Sequence, residues 1–220
     1  GGTNSIGASI TDFNGDGLSD LGMHDADTGK CEVGLSKAGV FEGAKLWLTG
    51  FGAGYDWSPT GGDFNADGKT DIGIYNSSTG ELKVAISTGS SFTNTGTWLT
   101  VSFASASWQF TSGNYNGDRY TDIALHNQDT GEVKVSLGAG SAGNFKPFTT
   151  WLDSGFFIQG QTVLSADFNG DGLPDIFGYK ISTNVFKFAF SNAKEFVDKV
   201  GWAPHPAFDK EPVILSDFNN

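Results

Sequence analysis

The chain has 220 residues, a formal charge of −12 and a pI of about 4.4. Its Lys and Arg residues are few and scattered, which argues against a nucleic-acid partner, because phosphate binding needs clustered basic side chains. No apolar run reaches the roughly 18 residues of a membrane span, so no membrane insertion is expected. The single Cys31 excludes an internal disulfide framework and is interpreted as a small core residue.

The composition favours an all-β protein. Glycine is abundant (32 residues), proline is sparse (6), and 14% of the residues are aromatic, which is typical of many short strands joined by tight turns around a packed core. The start of the chain, GGTNSIGAS, lacks the basic and apolar regions of a secretory signal, so we expect a mature or excised segment.

In chain order, a strand near Ser5 to Thr11 is predicted first, followed by an acidic loop, DFNGDGLSD, at residues 12–20. Close variants of this loop follow as DFNADGKTD at 63–71, NYNGDRYTD at 114–122 and DFNGDGLPD at 167–175, and a partial copy, DFNN, ends the sequence. The spacings between loop starts are 51, 51, 53 and 50 residues, a period characteristic of propeller arrays.

The second repeat shows the elements of one unit most clearly. The segment SPTGG predicts a strand before the loop, DIGIYN and ELKVAIS predict a hairpin turning at SSTG, and a fourth strand is expected around GTWLTVSF. Four antiparallel strands form one propeller blade. We therefore predict an all-β fold, a β-propeller of four-stranded antiparallel blades with about four blades present.

The repeats run approximately over residues 6–56, 57–107, 108–160 and 161–211, with the first strand of a further repeat at 212–220. They form a single propeller domain over residues 1–220, or an excerpt of one. Because the strand near Pro212 to Ser216 is surplus to four complete units, an excerpt of a larger propeller is expected.

Other residues keep the same register and are interpreted as core. A small residue recurs 22 positions after each loop start, where blades would converge on an axis. A Phe recurs 29 positions after each start (31 in the third repeat) and a Trp 35 positions after it (37 in the third repeat), and both are expected to pack between neighbouring blades. These positions are Gly34, Ala85, Ser136 and Ala189; Phe41, Phe92, Phe145 and Phe196; and Trp47, Trp98, Trp151 and Trp202.

The loop pattern D-x-N-x-D-G-x-x-D predicts a calcium site. Side chains at loop positions 1, 3, 5 and 9 and the backbone carbonyl at position 7 can converge on one point, and a hard cation offsets the repulsion of carboxylates held about 5 Å apart. Calcium suits a flexible loop with five oxygen ligands better than magnesium, and imidazole or thiolate ligands for a transition metal are lacking. The predicted ligands are Asp12, Asn14, Asp16, Leu18 and Asp20; Asp63, Asn65, Asp67, Lys69 and Asp71; Asn114, Asn116, Asp118, Tyr120 and Asp122; and Asp167, Asn169, Asp171, Leu173 and Asp175.

Up to four calcium sites are thus expected, and the third loop, Asn114 to Asp122, should bind calcium most weakly. Asn114 replaces the first carboxylate, and Arg119 replaces the glycine that makes the sharp turn at position 6. An EF-hand is excluded, because position 12 of these loops is not acidic and the following residues alternate like a strand.

These loops resemble the FG-GAP and VCBS type of repeat, the blade unit of integrin α-subunit propellers and of many bacterial and fungal extracellular propellers. The resemblance spans nearly the whole chain and is strongest to the bacterial repeats. It implies that each loop joins the first two strands of a blade and holds calcium. Similar proteins include sugar-binding lectins, adhesion receptors and shell segments of large bacterial insecticidal toxins.

No catalytic constellation is apparent in the sequence. His24 and His126 occupy equivalent positions 12 residues after their loop starts, which indicates a strand position, and His205 stands apart. Trp57 and Trp108 each lie six residues before a loop start and have two interpretations: packing between blades, or platforms on which a sugar could stack.

The function predicted from the sequence is a calcium-binding extracellular recognition module, not an enzyme, with a glycan or protein surface as its partner. It would be secreted or displayed on the cell surface. Two alternatives remain open: an architectural propeller segment of a large secreted toxin or surface protein, and, less favoured, a propeller glycosidase or lyase.

Overall fold

A computed structural model describes residues 4–5, 11–140, 145–180 and 185–199 of the chain. Within these ranges the protein is built of strands and turns, and the strands form four four-stranded antiparallel sheets. The all-β prediction is confirmed, and each sheet has the composition expected of a propeller blade. None of the described segments is a helix that could cross a membrane.

The first two sheets contain eight strands, and a small two-stranded hairpin lies within the first repeat. The first sheet contains β1 (Asn4–Ser5), β2 (Leu21–Asp25), β3 (Lys30–Gly34) and β6 (Lys45–Leu48), and the hairpin between β3 and β6 is β4 (Ser36–Lys37) with β5 (Val40–Phe41). The second contains β7 (Trp57–Gly62), β8 (Asp71–Asn76), β9 (Glu81–Ser87) and β10 (Phe92–Thr100).

The last two sheets repeat this arrangement. The third contains β11 (Trp108–Gly113), β12 (Asp122–Asn127), β13 (Val133–Ser136) and β14 (Thr149–Leu152). The fourth contains β15 (Thr162–Ala166), β16 (Asp175–Lys180), β17 (Val185–Ser191) and β18 (Phe196–Lys199). Neighbouring strands in each sheet follow one another along the chain, except that the β4–β5 hairpin lies between β3 and β6, so every blade is a meander.

The first strand overlaps the strand predicted near Ser5 to Thr11. β1 covers Asn4–Ser5 and pairs with Met23 and His24 of β2, and residues 6–10 lie outside the described residues. The surplus strand near residues 212–216, the partial loop at 217–220, Trp202 and His205 lie outside the described residues.

Aromatic side chains fill the junctions between blades, as the repeat predicted. Phe92 of the second blade lies between Phe13 and Trp47 of the first, with ring centroids 5.5 and 5.0 Å apart. Phe196 of the fourth blade contacts Tyr115 and Trp151 of the third in the same way, at 5.4 and 5.1 Å.

Comparison of the second junction with the first blade shows which residues bury the Phe that recurs in each repeat. Phe145 of the third blade contacts Trp98 of the second at 6.3 Å. Phe92 is 5% exposed, whereas Phe41, the equivalent residue of the first blade, is 63% exposed. Burial of this position therefore comes from the aromatic pair of the preceding blade.

The small residues 22 positions after each loop start are buried in all four blades. Ala85, Ser136 and Ala189 have 0% exposure, and Gly34 is buried as well. A larger side chain at these positions would have to displace close-packed neighbours, which explains why only Gly, Ala and Ser occur there.

Candidate functional site: the four acidic loops

Each acidic loop connects the first two strands of its blade. In the second blade the loop leaves β7 after Gly62 and enters β8 at Asp71, and these two residues are paired in the sheet. Gly113 with Asp122 and Ala166 with Asp175 form the same closing pair in the third and fourth blades. The pairing holds both ends of the loop close together, so its polar side chains must share a small volume.

The first loop is folded by hydrogen bonds from its backbone N–H groups to its own side chains. Asp12 Oδ1 accepts from the N–H groups of Gly15 and Asp16 at 2.7 and 3.1 Å, and Asp12 Oδ2 accepts from Gly17 at 2.8 Å. Asn14 Oδ1 accepts from Asp16 N–H at 3.0 Å, and Asn14 Nδ2 donates to Asp16 Oδ2 at 2.9 Å. The side chains at positions 1, 3 and 5 are therefore already turned inward.

The other three loops repeat this network. In each, the N–H of position 5 donates to the Asn at position 3, that Asn donates to the carboxylate at position 5, and the N–H of position 7 donates to the same carboxylate. Because four loops with different flanking residues reach one geometry, the D-x-N-x-D pattern itself determines the fold of the loop.

The aspartate at position 9 has a different environment from the other three side chains. Asp71, Asp122 and Asp175 are 0% exposed and Asp20 is 7% exposed, whereas the residues at position 5 are exposed. Asp71 Oδ2 accepts from Phe64 N–H at 3.0 Å, and Asp71 Oδ1 accepts from Ser87 N–H, at the end of β9, at 2.8 Å. This carboxylate therefore links the loop to the third strand of its blade.

The same two-sided link occurs in the other blades. The position 9 carboxylates of Asp20, Asp122 and Asp175 each accept one N–H from their own loop and one from the residue 16 positions later. Sequence analysis identified these residues as ligands and missed this structural role, because the bond joins segments that are neighbours only once the hairpin has formed.

Burial changes the acidity of these aspartates. Loss of solvent raises the pKa of Asp71 to about 7 and that of Asp122 to about 7, although the backbone N–H bonds oppose the change. The pKa of Asp175 is also raised, first by burial and then by the charges of Asp171 and Asp167. A nearby divalent cation would favour the charged form of each of these groups.

The donor set fits a hard cation, although it is not a preformed cluster of charges. Within the described ranges, no three Asp, Glu, His or Cys side chains converge as a metal cluster on their own. The carboxylates of the first loop instead accept hydrogen bonds from the loop backbone. The remaining donors are the amide oxygen of position 3 and the carbonyl of position 7, so the loops offer oxygen ligands only.

A positive charge already lies at the second loop. Lys69 Nζ is 3.1 Å from Asp67 Oδ2. Burial raises the pKa of Asp67, but the hydrogen bonds from Lys69 and Asn65 outweigh that effect and hold the pKa below its ordinary value. A cationic group of the chain itself thus contacts one predicted calcium ligand of this loop.

Replacing Lys69 by leucine, the residue at position 7 of the first and fourth loops, is expected to strengthen calcium binding by the second loop about two- to fivefold, since an exposed ion pair is worth up to about 1 kcal/mol. Isothermal titration with CaCl₂ measures the change. Lys45→Leu removes an exposed lysine that pairs with Glu42 and serves as the control. Equal tightening in both variants would show that net charge, and not the Lys69 contact, is responsible.

The third loop departs from the pattern in the way its sequence predicted. Arg119 has a φ of +87°, close to the values of +84° to +87° for the glycines at the same position of the other loops. Asn114 Oδ1 still accepts the N–H of Asp118 at 3.0 Å. Within residues 114–122, however, the bond that Gly17, Gly68 and Gly172 donate to Oδ2 of position 1 has no counterpart, because Asn114 carries an NH₂ group there.

Replacing Arg119 by glycine is expected to stabilise the protein by about 1 kcal/mol, because a side chain at positive φ is strained and glycine is not. For a chain of this size the melting temperature should rise by about 2–4 °C. Differential scanning calorimetry measures this. Arg119→Lys keeps both the charge and the strained backbone, so a rise of the same size in that variant would contradict the explanation.

Trp57 and Trp108 lie inside the protein, each with 7% exposure. Lys83 Nζ lies 4.5 Å from the ring centroid of Trp57, and Phe103 packs against Trp108 at 5.0 Å. These contacts favour the packing interpretation, and sugar stacking on these rings remains an untested prediction. His24 and His126 are also buried; burial lowers the pKa of His126 to about 4, so this ring is neutral near pH 7.

Comparison with known proteins agrees with this arrangement of loops and blades. Residues 114–178, from the start of the third loop to just beyond the fourth, match the model of the FG-GAP-like repeat. This segment is similar to an FG-GAP-like repeat. The resemblance noted in the sequence is confirmed here, and the loops at 12–20 and 63–71 have the same internal hydrogen bonds as the two loops within the matched segment.

A solved lectin structure from Agrocybe aegerita has a similar fold. That work describes specific recognition of non-reducing terminal N-acetylglucosamine by the lectin. The TM-score is 0.63 at 19% sequence identity, over 84% of this chain and 49% of the lectin chain, so the chain spans about half of the lectin's length. At this identity the likeness shows a shared propeller fold. Comparison with proteins of curated function found no significant match.

Proposed function

We propose that the chain is a calcium-binding recognition module that presents the loops of a β-propeller to glycans outside the cell. The observation that carries the proposal is the fourfold recurrence of one oxygen-lined loop at the same place in each blade. In the first loop, Asp12, Asn14, Asp16, the Leu18 carbonyl and Asp20 would hold the ion. Bound calcium would supply a positive charge that holds these oxygens together, and no chemical step is assigned to it.

The loops suit the calcium concentrations found outside cells. Their ligands at positions 1, 3 and 5 lie at or near the surface, and solvent-accessible sites of extracellular modules bind calcium with Kd values of about 10⁻⁴–10⁻³ M. Such sites fill at millimolar calcium. Secretion or display on a cell surface is therefore part of the proposal.

Glycans are the favoured partner because the propeller fold is shared with a lectin, and the folded loops could position polar groups for sugar hydroxyls.

The test is a glycan array that includes glycans ending in N-acetylglucosamine, probed in CaCl₂ and in EDTA. The matched variant carries Asp16→Asn, Asp67→Asn and Asp171→Asn, which remove one predicted ligand charge from each of three loops. We expect binding that is lost in EDTA and weakened in the variant.

Burial of Trp57 and Trp108 supports a second candidate, an architectural segment whose blades bind no ligand. In that case the array would show no binding in either buffer, while the protein would still bind calcium. Binding that is unaffected by EDTA would support recognition but contradict a role for calcium in it. If the chain bound a protein but none of the glycans, a protein surface would replace glycans as the proposed partner.

A further inference from the structure

Neighbouring acidic loops are joined directly by the residue at loop position 8. Thr70 of the second loop donates its N–H to the carbonyl of Asp12 in the first loop at 2.7 Å, and its Oγ1 accepts the N–H of Asp12 at 2.9 Å. Thr121 of the third loop likewise donates its N–H to the carbonyl of Asp63 in the second, at 3.0 Å. Each threonine thus holds the backbone of the first predicted calcium ligand of the preceding loop.

The junction between the third and fourth loops lacks this bridge. Position 8 of the fourth loop is Pro174, which has no N–H to donate to Asn114, and its ring lies against Gly113. The two blades are joined there by a bond from Ser191 Oγ to the carbonyl of Tyr115 at 2.8 Å, and the first junction has the counterpart of this bond, from Ser87 Oγ to the carbonyl of Phe13 at 2.6 Å. Ser191 also donates its N–H to Asp175 of the fourth loop. The feature that the third junction lacks is therefore the threonine bridge.

The bridge can transmit calcium binding from one loop to the next because of where the threonine lies within its own loop. Thr70 lies between Lys69, whose carbonyl is a predicted ligand, and Asp71, another predicted ligand. An ion bound in the second loop would fix both neighbours of Thr70 and hence Thr70 itself. Because Thr70 holds Asp12 on both its N–H and its carbonyl, the first loop would lose less conformational freedom when it binds calcium in turn.

We propose that Thr70 and Thr121 are positioning residues that couple calcium binding between adjacent loops, so that the first three loops are coupled to one another more strongly than the third is to the fourth. This inference rests on the proposed calcium binding. Coupling between sites is reciprocal, so an ion in the first loop favours binding in the second to the same extent.

The test follows calcium binding to single loops in the full chain by NMR. The amide of Gly17 reports on the first loop, and that of Gly117 on the third. Asp67→Asn weakens the second loop, and Asp171→Asn weakens the fourth. We expect Asp67→Asn to weaken calcium binding at Gly17 about fivefold or more, the lower end of typical coupling between sites. Asp171→Asn should weaken binding at Gly117 much less, because the threonine bridge is lacking there.

A double-mutant cycle separates the bridge from long-range electrostatics. Thr70→Pro copies the residue of the fourth loop and removes both bridging groups, so Asp67→Asn should then have no effect at Gly17 beyond that of its charge. Thr70→Ser keeps both groups and should restore the coupling. If Thr70→Pro fails to fold, Pro174→Thr offers the opposite test, because it supplies the missing N–H and should make Gly117 more sensitive to Asp171→Asn.

Different results would contradict the coupling between loops and the calcium binding on which it rests. Calcium-dependent shifts in the loops combined with equal effects of Asp67→Asn in the wild-type and Thr70→Pro backgrounds would overturn the coupling and leave calcium binding intact. Absence of any calcium-dependent shift at Gly17 or Gly117 would overturn the proposed function and the coupling with it.

Discussion

Replacing Asp71 by alanine is expected to lower the free energy of unfolding by about 3 kcal/mol in calcium-free solution. The carboxylate is fully buried and accepts the N–H groups of Phe64 and Ser87. The variant would leave both donors buried without a partner, and each such group costs about 1–3 kcal/mol. Urea unfolding followed by tryptophan fluorescence in EDTA measures the loss.

Asp67→Ala is the matched control for this prediction. Asp67 is in the same loop and is also a predicted ligand, but its side chain is exposed and its bonds stay within the loop and its Lys69 pair. We expect its effect in EDTA to be within about 0.5 kcal/mol, as for surface substitutions generally. Equal losses in the two variants would contradict the role of Asp71 as a link between the loop and β9.

Calcium is expected to stabilise the protein much more at pH 8 than at pH 5. The buried carboxyls of Asp71 and Asp122 have pKa values raised from 3.8 to about 7. Between those values the metal-free folded protein holds protons that the unfolded chain releases. The stability contributed by these protonated groups is therefore present at about pH 4 and is lost as the pH rises to about 7.

Bound calcium should reverse this trend, because it would bind the ionised carboxylates. At pH 8 these groups are already charged, whereas at pH 5 the ion must displace their protons. With calcium 100-fold above Kd, each occupied site should add about 2.7 kcal/mol at pH 8 and clearly less at pH 5. Melting temperatures with CaCl₂ and with EDTA at both pH values measure this, and equal calcium-induced increases at the two pH values would contradict it.

Much of the blade could be predicted because its strands follow local rules. DIGIYN and ELKVAIS alternate in polarity and flank a turn sequence, and they coincide with β8 and β9. The fourth strand was harder to delimit. β10 extends over Phe92–Thr100, and its pairing with β9 shifts register near Thr97, an irregularity that a simple alternating pattern does not encode.

The candidate site was only partly predictable for the same reason. The pattern of Asp, Asn and Gly identified the inward-facing side chains, because these bonds form within nine consecutive residues. The bond from Ser87 to Asp71 and the bridge from Thr70 to Asp12 join segments brought together by the sheets, so no local pattern reveals them. A positive φ of +61° at Ala66, where the other loops have glycine, was also missed.

The most direct test of calcium binding is a crystal structure of the protein grown in millimolar CaCl₂, with anomalous diffraction measured at long wavelength. We expect anomalous peaks in the first, second and fourth loops, each with oxygen atoms from positions 1, 3, 5, 7 and 9 at about 2.3–2.6 Å, and a weaker peak in the third. Loops that keep their hydrogen-bonded fold with no anomalous peak in any of the four would contradict the account.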